Sequence, residues 1–180
     1  MSEKSKTATK SIVFSAIFVA LGVIIARFLS ITPTESVRFS FESIPIFLSG
    51  VLFGPIYGLM VGFCTDFIGC LFSPFGFNPL FCLPPILYGL FGGLFRPLLT
   101  RKISLLTLFL SLLPPILLGS ILWQSFALNF VYGSGFWVLL GARSLQFSVI
   151  LVLDIIIIRL LFGSRIFQQA NLWPPKPKEA

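Results

Sequence analysis

The feature that most constrains this chain is a succession of apolar runs, several of them near the roughly 20 residues a helix needs to cross a hydrocarbon core. They cover residues 11–31, 41–53, 55–72, 80–99, 103–128 and 137–162. Only 11% of the 180 residues are charged and the mean hydropathy is +1.00, whereas soluble domains carry about a quarter charged residues. The expectation is an all-α membrane protein with six transmembrane helices. The run at 41–53 is short for a span, so it is expected to be tilted or partly extended.

Before the first run stands the basic stretch MSEKSKTATK. The run itself is longer than a signal-peptide core and has no small-residue cleavage site before its end, so it reads as a retained helix. The domain reading is therefore a basic N-terminus over residues 1–10, a six-helix unit over 11–162 and a tail over 163–180. The prolines of NLWPPKPKEA cannot continue a helix.

Orientation follows from the lysines and arginines near the helix ends. With the N-terminus inside, ten lie on the cytoplasmic side: Lys4, Lys6, Lys10, Arg96, Arg101, Lys102, Arg159, Arg165, Lys176 and Lys178. Three lie outside: Arg27, Arg38 and Arg143. Both termini are then cytoplasmic. The longer, more polar connections TPTESVRFS, SPFGFN and NFVYGSGF face outward, so extracellular loops are expected to form any ligand site.

The net charge of +7 is scattered at the ends of apolar runs and forms no stripe, which argues against a nucleic-acid surface. There is no histidine, and the three cysteines include no CxxC pair; no zinc site is expected. No GxxxxGK[ST] loop, HExxH or GxSxG occurs, so the chain lacks a P-loop and a recognisable nucleophile–base pair. The expectation is no catalytic residue, no metal and no cofactor. Uphill transport would need energy from another subunit.

Two patterns of small residues stand out. Gly50, Gly54, Gly58 and Gly62 recur every fourth residue, interrupted by Pro55; such stripes let backbones approach closely. They serve either packing of the second and third spans or a ligand cavity. Ala16 and Ala20 form a second small-xxx-small pair in the first span, fitted either to internal packing or to docking on another membrane protein.

Charge inside a membrane is costly and needs a partner or a cavity. Asp66 sits in the outer half of the third span, where it would pair with Arg27 or Arg143, or touch a ligand. Arg38 and Glu42 are four apart; on a helix they would pair with each other, or Arg38 and Arg143 would meet a ligand carboxylate. Trp123 and Gln124 bring hydrogen-bonding groups deeper into the fifth span, and Asn129 ends it. Asp154 is expected to be structural, facing an arginine such as Arg96. The outer aromatics, Phe77 and Phe81 among them, suit either an interfacial belt or stacking on a flat ligand.

The run VRFSFESIPIFLSGVLFGPIYGLMVGFCTDFIG, followed by FGFNPLFCLPPILYGLFGGLF, resembles the substrate-binding S components of energy-coupling factor (ECF) vitamin transporters, and most of all their folate group. The matching elements are Arg38 with Ser40, Phe41 and Pro45, then Gly54-Pro55, Gly58, Gly62, Asp66 and Gly69, then Asn78-Pro79 and Gly89. The resemblance implies a multi-pass protein of the bacterial plasma membrane that captures a vitamin from outside, with folate the expected one. It further implies delivery by docking on a transmembrane scaffold subunit with two cytosolic ATPases. Ala16 and Ala20 match the first-helix pattern that contacts the scaffold in the family. Arg38, Asn78 and Arg143 fall in matching motifs near the outer loops, where an arginine would receive the carboxylates of a folate and Asn78 would bond the ligand or cap the loop. Phe77, Phe81 and Trp123 would hold its rings, and Asp66 would line the site. Pantothenate or riboflavin capture, a membrane enzyme for a lipid-like substrate, and a scaffold protein without ligand are the alternatives.

Overall fold

The computed structural model describes residues 3–34, 37–72, 76–101, 103–133 and 135–164, without side chains for 3–8 and 31–38. The expected C-terminal tail lies outside these residues. The first helix, α1 (Glu3–Phe28), starts eight residues before the expected position 11. After it comes a two-stranded antiparallel hairpin, β1 (Ile31–Thr34) and β2 (Val37–Phe39), where a plain loop was expected. Arg38 therefore stands on a strand, not four residues before Glu42 on a helix.

The chain then turns inward as α2 (Ser43–Phe53) and α3 (Pro55–Leu71). The junction is Gly54, at φ 105°, a conformation that glycine adopts without steric cost. Pro55 follows at the first position of α3, where its missing N–H loses no hydrogen bond. A 3₁₀ turn at Pro79–Phe81 leads into α4 (Leu83–Leu94), whose prolines 84 and 85 likewise occupy the first turn. A short α5 (Arg96–Arg101) connects to the next span.

That span, expected as one plain helix over 103–128, runs on to residue 132 and is not uniform. It consists of α6 (Leu105–Pro115), a π-helical stretch Ile116–Trp123 and α7 (Gln124–Tyr132). Pro114 and Pro115 supply no N–H to the turn before them, and the chain downstream winds with the wider π hydrogen bonding. The last helix, α8, runs from Phe136 to Gly163.

Among the described residues, three helical stretches are by length and apolarity long enough to cross a membrane, namely Thr9–Phe28, Leu105–Tyr132 and Phe136–Gly163. Shorter apolar helices fill the rest: Ser43–Phe53, Pro55–Leu71 and Pro79–Leu94. Large apolar side chains such as Ile56, Leu106, Leu145 and Val152 point outward, the arrangement expected of faces in contact with hydrocarbon. The interior is filled by Ile46, Phe47, Val51, Leu108, Leu112, Ile116, Ile155 and Ile158.

The glycine stripe packs α2 and α3 against each other and, beyond the expectation, both of them against α4. A Cβ on Gly58 would run into the carbonyl oxygen of Gly89 and lie 2.7 Å from the Gly50 Cα. One on Gly89 would strike the Gly58 carbonyl, and one on Gly62 the Pro85 carbonyl. The three backbones therefore meet at distances only glycine permits.

Candidate functional site

The helices enclose a cavity of about 340 Å³, at the lower end of the roughly 300–1,000 Å³ of small-molecule sites. Each wall comes from a different element. From α2 and the residues just before it come Ser40, Glu42, Ser43 and Ile46; from α3, Asp66 and Cys70. Beside them α4 contributes Pro84, Pro85 and Tyr88, and the last turn of α1 contributes Arg27.

Two helical stripes complete the lining. Ser120, Gln124, Leu128 and Tyr132 follow one another at intervals of four along the π-helical stretch and α7. Arg143, Gln146, Phe147 and Ile150 occupy positions i, i+3, i+4 and i+7 of α8, the spacing that puts side chains on one face. Because α8 begins at Phe136, Arg143 lies two turns inside the helix and does not open it.

Arg143 is only 7% exposed. Its Nη1 donates to the Ser120 carbonyl at 3.1 Å, and its guanidinium lies 6.0 Å from the Phe147 ring centroid. Its buried Nε has no hydrogen-bond partner among the described residues. Beside it the Ser120 hydroxyl donates to Tyr88 Oη at 3.4 Å. At the mouth the Phe81 and Tyr132 rings lie 6.4 Å apart at an interplanar angle of 21°.

Asp66, Phe81 and Arg143 are thus gathered on the cavity. Asp66 and Cys70 line the cavity from α3, and the Arg27 guanidinium lies against Gly69, whose added Cβ would come within 3.2 Å of Nη2. Arg38 lies among the residues without described side chains.

The other expected site residues lie elsewhere. Asn78 takes the capping alternative, its Oδ1 accepting from Leu80 N at 3.1 Å. The Phe77 ring sits on the outside of α3, 5.2 Å from Phe67 and 6.5 Å from Phe63. Trp123 is turned off the cavity face and donates its indole N–H to the Leu80 carbonyl at 2.7 Å, so it ties the 3₁₀ turn to the fifth span. Asp154 does not face Arg96 as expected: it is fully buried and accepts from the Ser43 hydroxyl at 2.8 Å.

Tyr88, Ser43, Ser120 and Gln146 were not anticipated. Gln146 had a legible signal, its place three residues after Arg143 on the same face. The other three are brought to the cavity by packing between helices distant in sequence.

A separate lateral groove of about 710 Å³ runs between α1 and α3, with Ala16, Ala20, Val19, Tyr57, Met60 and Ile68 among its lining residues. Ala16 and Ala20 are exposed along it.

An apolar exterior around a partly polar cavity defines a multi-pass membrane protein that binds a small molecule. The chain belongs to the family described as ECF-type riboflavin transporter, S component, whose model matches residues 6–167. Members of that family are transport subunits and not enzymes. In sequence the chain is 34% identical over 84 residues to the folate transporter FolT of Clostridium novyi (strain NT). That match takes in 44% of this chain and spans about half, 48%, of the relative's length. Its structure is similar to that of FolT bound with folic acid, with a TM-score of 0.75 and 25% identity over 85% of this chain and 92% of the other. A second likeness, of fold alone, is to the S-component for biotin from an ECF-type ABC transporter, with a TM-score of 0.68 and 16% identity over 97% of this chain and the whole of the other.

Proposed function

We propose that this S component captures a folate from outside the cell and releases it inward when docked on an ATP-driven module. The observation that carries this reading is the cavity of about 340 Å³ on which Arg143, Gln146, Tyr88 and the Phe81–Tyr132 pair converge. A buried guanidinium offers fixed donors to a carbonyl or carboxylate, and paired rings suit a flat heteroaromatic ligand. The likeness to FolT bound with folic acid supports the choice of vitamin.

In this reading six segments cross the membrane: α1, α2, α3, α4 with its 3₁₀ turn, α6 to α7, and α8. The ten-to-three distribution of cationic side chains supports cytoplasmic termini, with residues 1–10 and 163–180 as cytoplasmic ends of a substrate-binding unit over 11–162. The protein resides in the bacterial plasma membrane. Arg27 and Arg38, near the outer face, would receive ligand carboxylates. Ala16 and Ala20 on the lateral groove would meet a transmembrane scaffold subunit, which in turn carries two cytosolic ATPases.

Riboflavin is the second reading, favoured by the description of the matching family. The purified full chain should bind folic acid in calorimetry and yield a folate in the mass spectrum of its extracted ligand. Riboflavin or pantothenate in the extract, with no heat from folic acid, would reassign the vitamin.

A further inference from the structure

Ser43 opens α2, is 6% exposed and lines the cavity. A hydroxyl has one proton to give and two lone pairs with which to accept. In this structure the proton is committed: Ser43 Oγ donates to Asp154 Oδ2 at 2.8 Å. Asp154, on α8, is wholly buried, does not line the cavity, and its other oxygen Oδ1 has no hydrogen-bond partner among the described residues. With its carboxyl ionised, or with a proton on Oδ1, the oxygen facing Ser43 remains an acceptor.

The geometry points to Asp154 as the residue that fixes the hydrogen-bond polarity of the cavity wall. By taking the only proton of Ser43 it leaves that hydroxyl able to accept but not to donate. Arg143, on the same cavity, can donate but not accept. The cavity thus presents a fixed acceptor and a fixed donor, a pattern matched by a ring edge that alternates amino or N–H donors with a carbonyl acceptor. A carboxylate, which only accepts, finds no complement at Ser43. Resting on the folate reading, this assigns Ser43 to the amino or N3–H donor edge of the pteridine and sends the glutamate end elsewhere. Asp154 acts through Ser43 and is a positioning residue.

The test compares folic acid with 2-desamino folic acid, in which hydrogen replaces the amino group, and with N3-methyl folic acid, on the purified full chain by calorimetry. A buried acceptor left without its donor is penalised, so wild type should prefer folic acid to at least one analogue by about tenfold or more. Ser43→Ala should reduce that ratio to within about threefold of unity. Asp154→Leu should lower the ratio in the wild-type background and leave it unmoved in Ser43→Ala, a dependence that a merely structural role would not produce. If Asp154→Leu does not fold, the smaller apolar Asp154→Ala takes its place, and a folded variant at 154 that keeps the wild-type ratio overturns the positioning role. A Ser43→Ala chain that keeps the wild-type ratio overturns the inference while the folate reading stands. A wild-type chain that binds no folic acid overturns both.

Discussion

Arg143→Met is the substitution with the most to say about the site. Methionine keeps much of the length and apolar stem of arginine while removing every donor. The native guanidinium spends Nη1 on the Ser120 carbonyl at 3.1 Å, whereas its buried Nε has no partner among the described residues. A planar ligand acceptor at that edge would engage two N–H groups side by side. Hydrogen bonds to a charged donor contribute about 1.5 kcal/mol or more each, so two amount to about 3 kcal/mol. At about 1.4 kcal/mol per tenfold, folic acid affinity should fall about 150-fold. Calorimetry on purified variant and wild type reads this directly, with the melting temperature as a check that the bundle is intact. Arg143→Lys should recover only a minor part, because an ammonium lacks the planar fork. A folded Arg143→Met chain with affinity within threefold of wild type would refute the assignment of Arg143 as a ligand donor.

Gly89→Ala places a methyl against the Gly58 carbonyl, which is backbone and cannot rotate away. The cost should reach the upper end of overpacking, about 3 kcal/mol, and lower Tm by roughly 6–12 °C. Gly141→Ala on α8, with nothing within 4 Å of its added Cβ, should equal or slightly exceed wild type in scanning fluorimetry; equal melting of the two variants would refute the close crossing. Ala16→Leu with Ala20→Leu, on the exposed lateral groove, should abolish co-purification with the scaffold and ATPase subunits and leave folic acid affinity unchanged. Lost affinity with intact assembly would return those alanines to the internal fold.

The helical segments were legible because apolar run length and the Gly-Pro punctuation report directly on what a bilayer demands. The glycines at every fourth position announced a close approach, yet their spacing does not name the partner, and α4 came to them through Gly89 and the Pro85 carbonyl. Neighbouring residues show where sequence reading stops. Trp123 and Gln124 are adjacent, about 100° apart around a helix, and only the helix rotation decides which one lines the cavity; Gln124 does, while the indole bonds Leu80. The Ser43–Asp154 pair joins positions 111 apart in sequence, and nothing local marks either as the other's partner.

The π-helical stretch and the buried arginine belong to one solution. A guanidinium inside an apolar bundle must have hydrogen-bond acceptors, but a carboxylate partner would neutralise the charge that the proposed ligand would meet. A backbone carbonyl accepts without carrying a full charge. The Ser120 carbonyl, in the stretch wound wide after Pro114 and Pro115, has a second lone pair to offer, and Arg143 takes it at 3.1 Å. Opposite this proline-disturbed wall stands the α2–α3–α4 unit, locked by glycine contacts that admit no side chain. One wall is therefore fixed by close backbone packing, and the other uses irregular backbone to hold a positive charge in position. A π-helical stretch keeps its backbone groups bonded within the segment, and here it also gives that cavity its oriented donor.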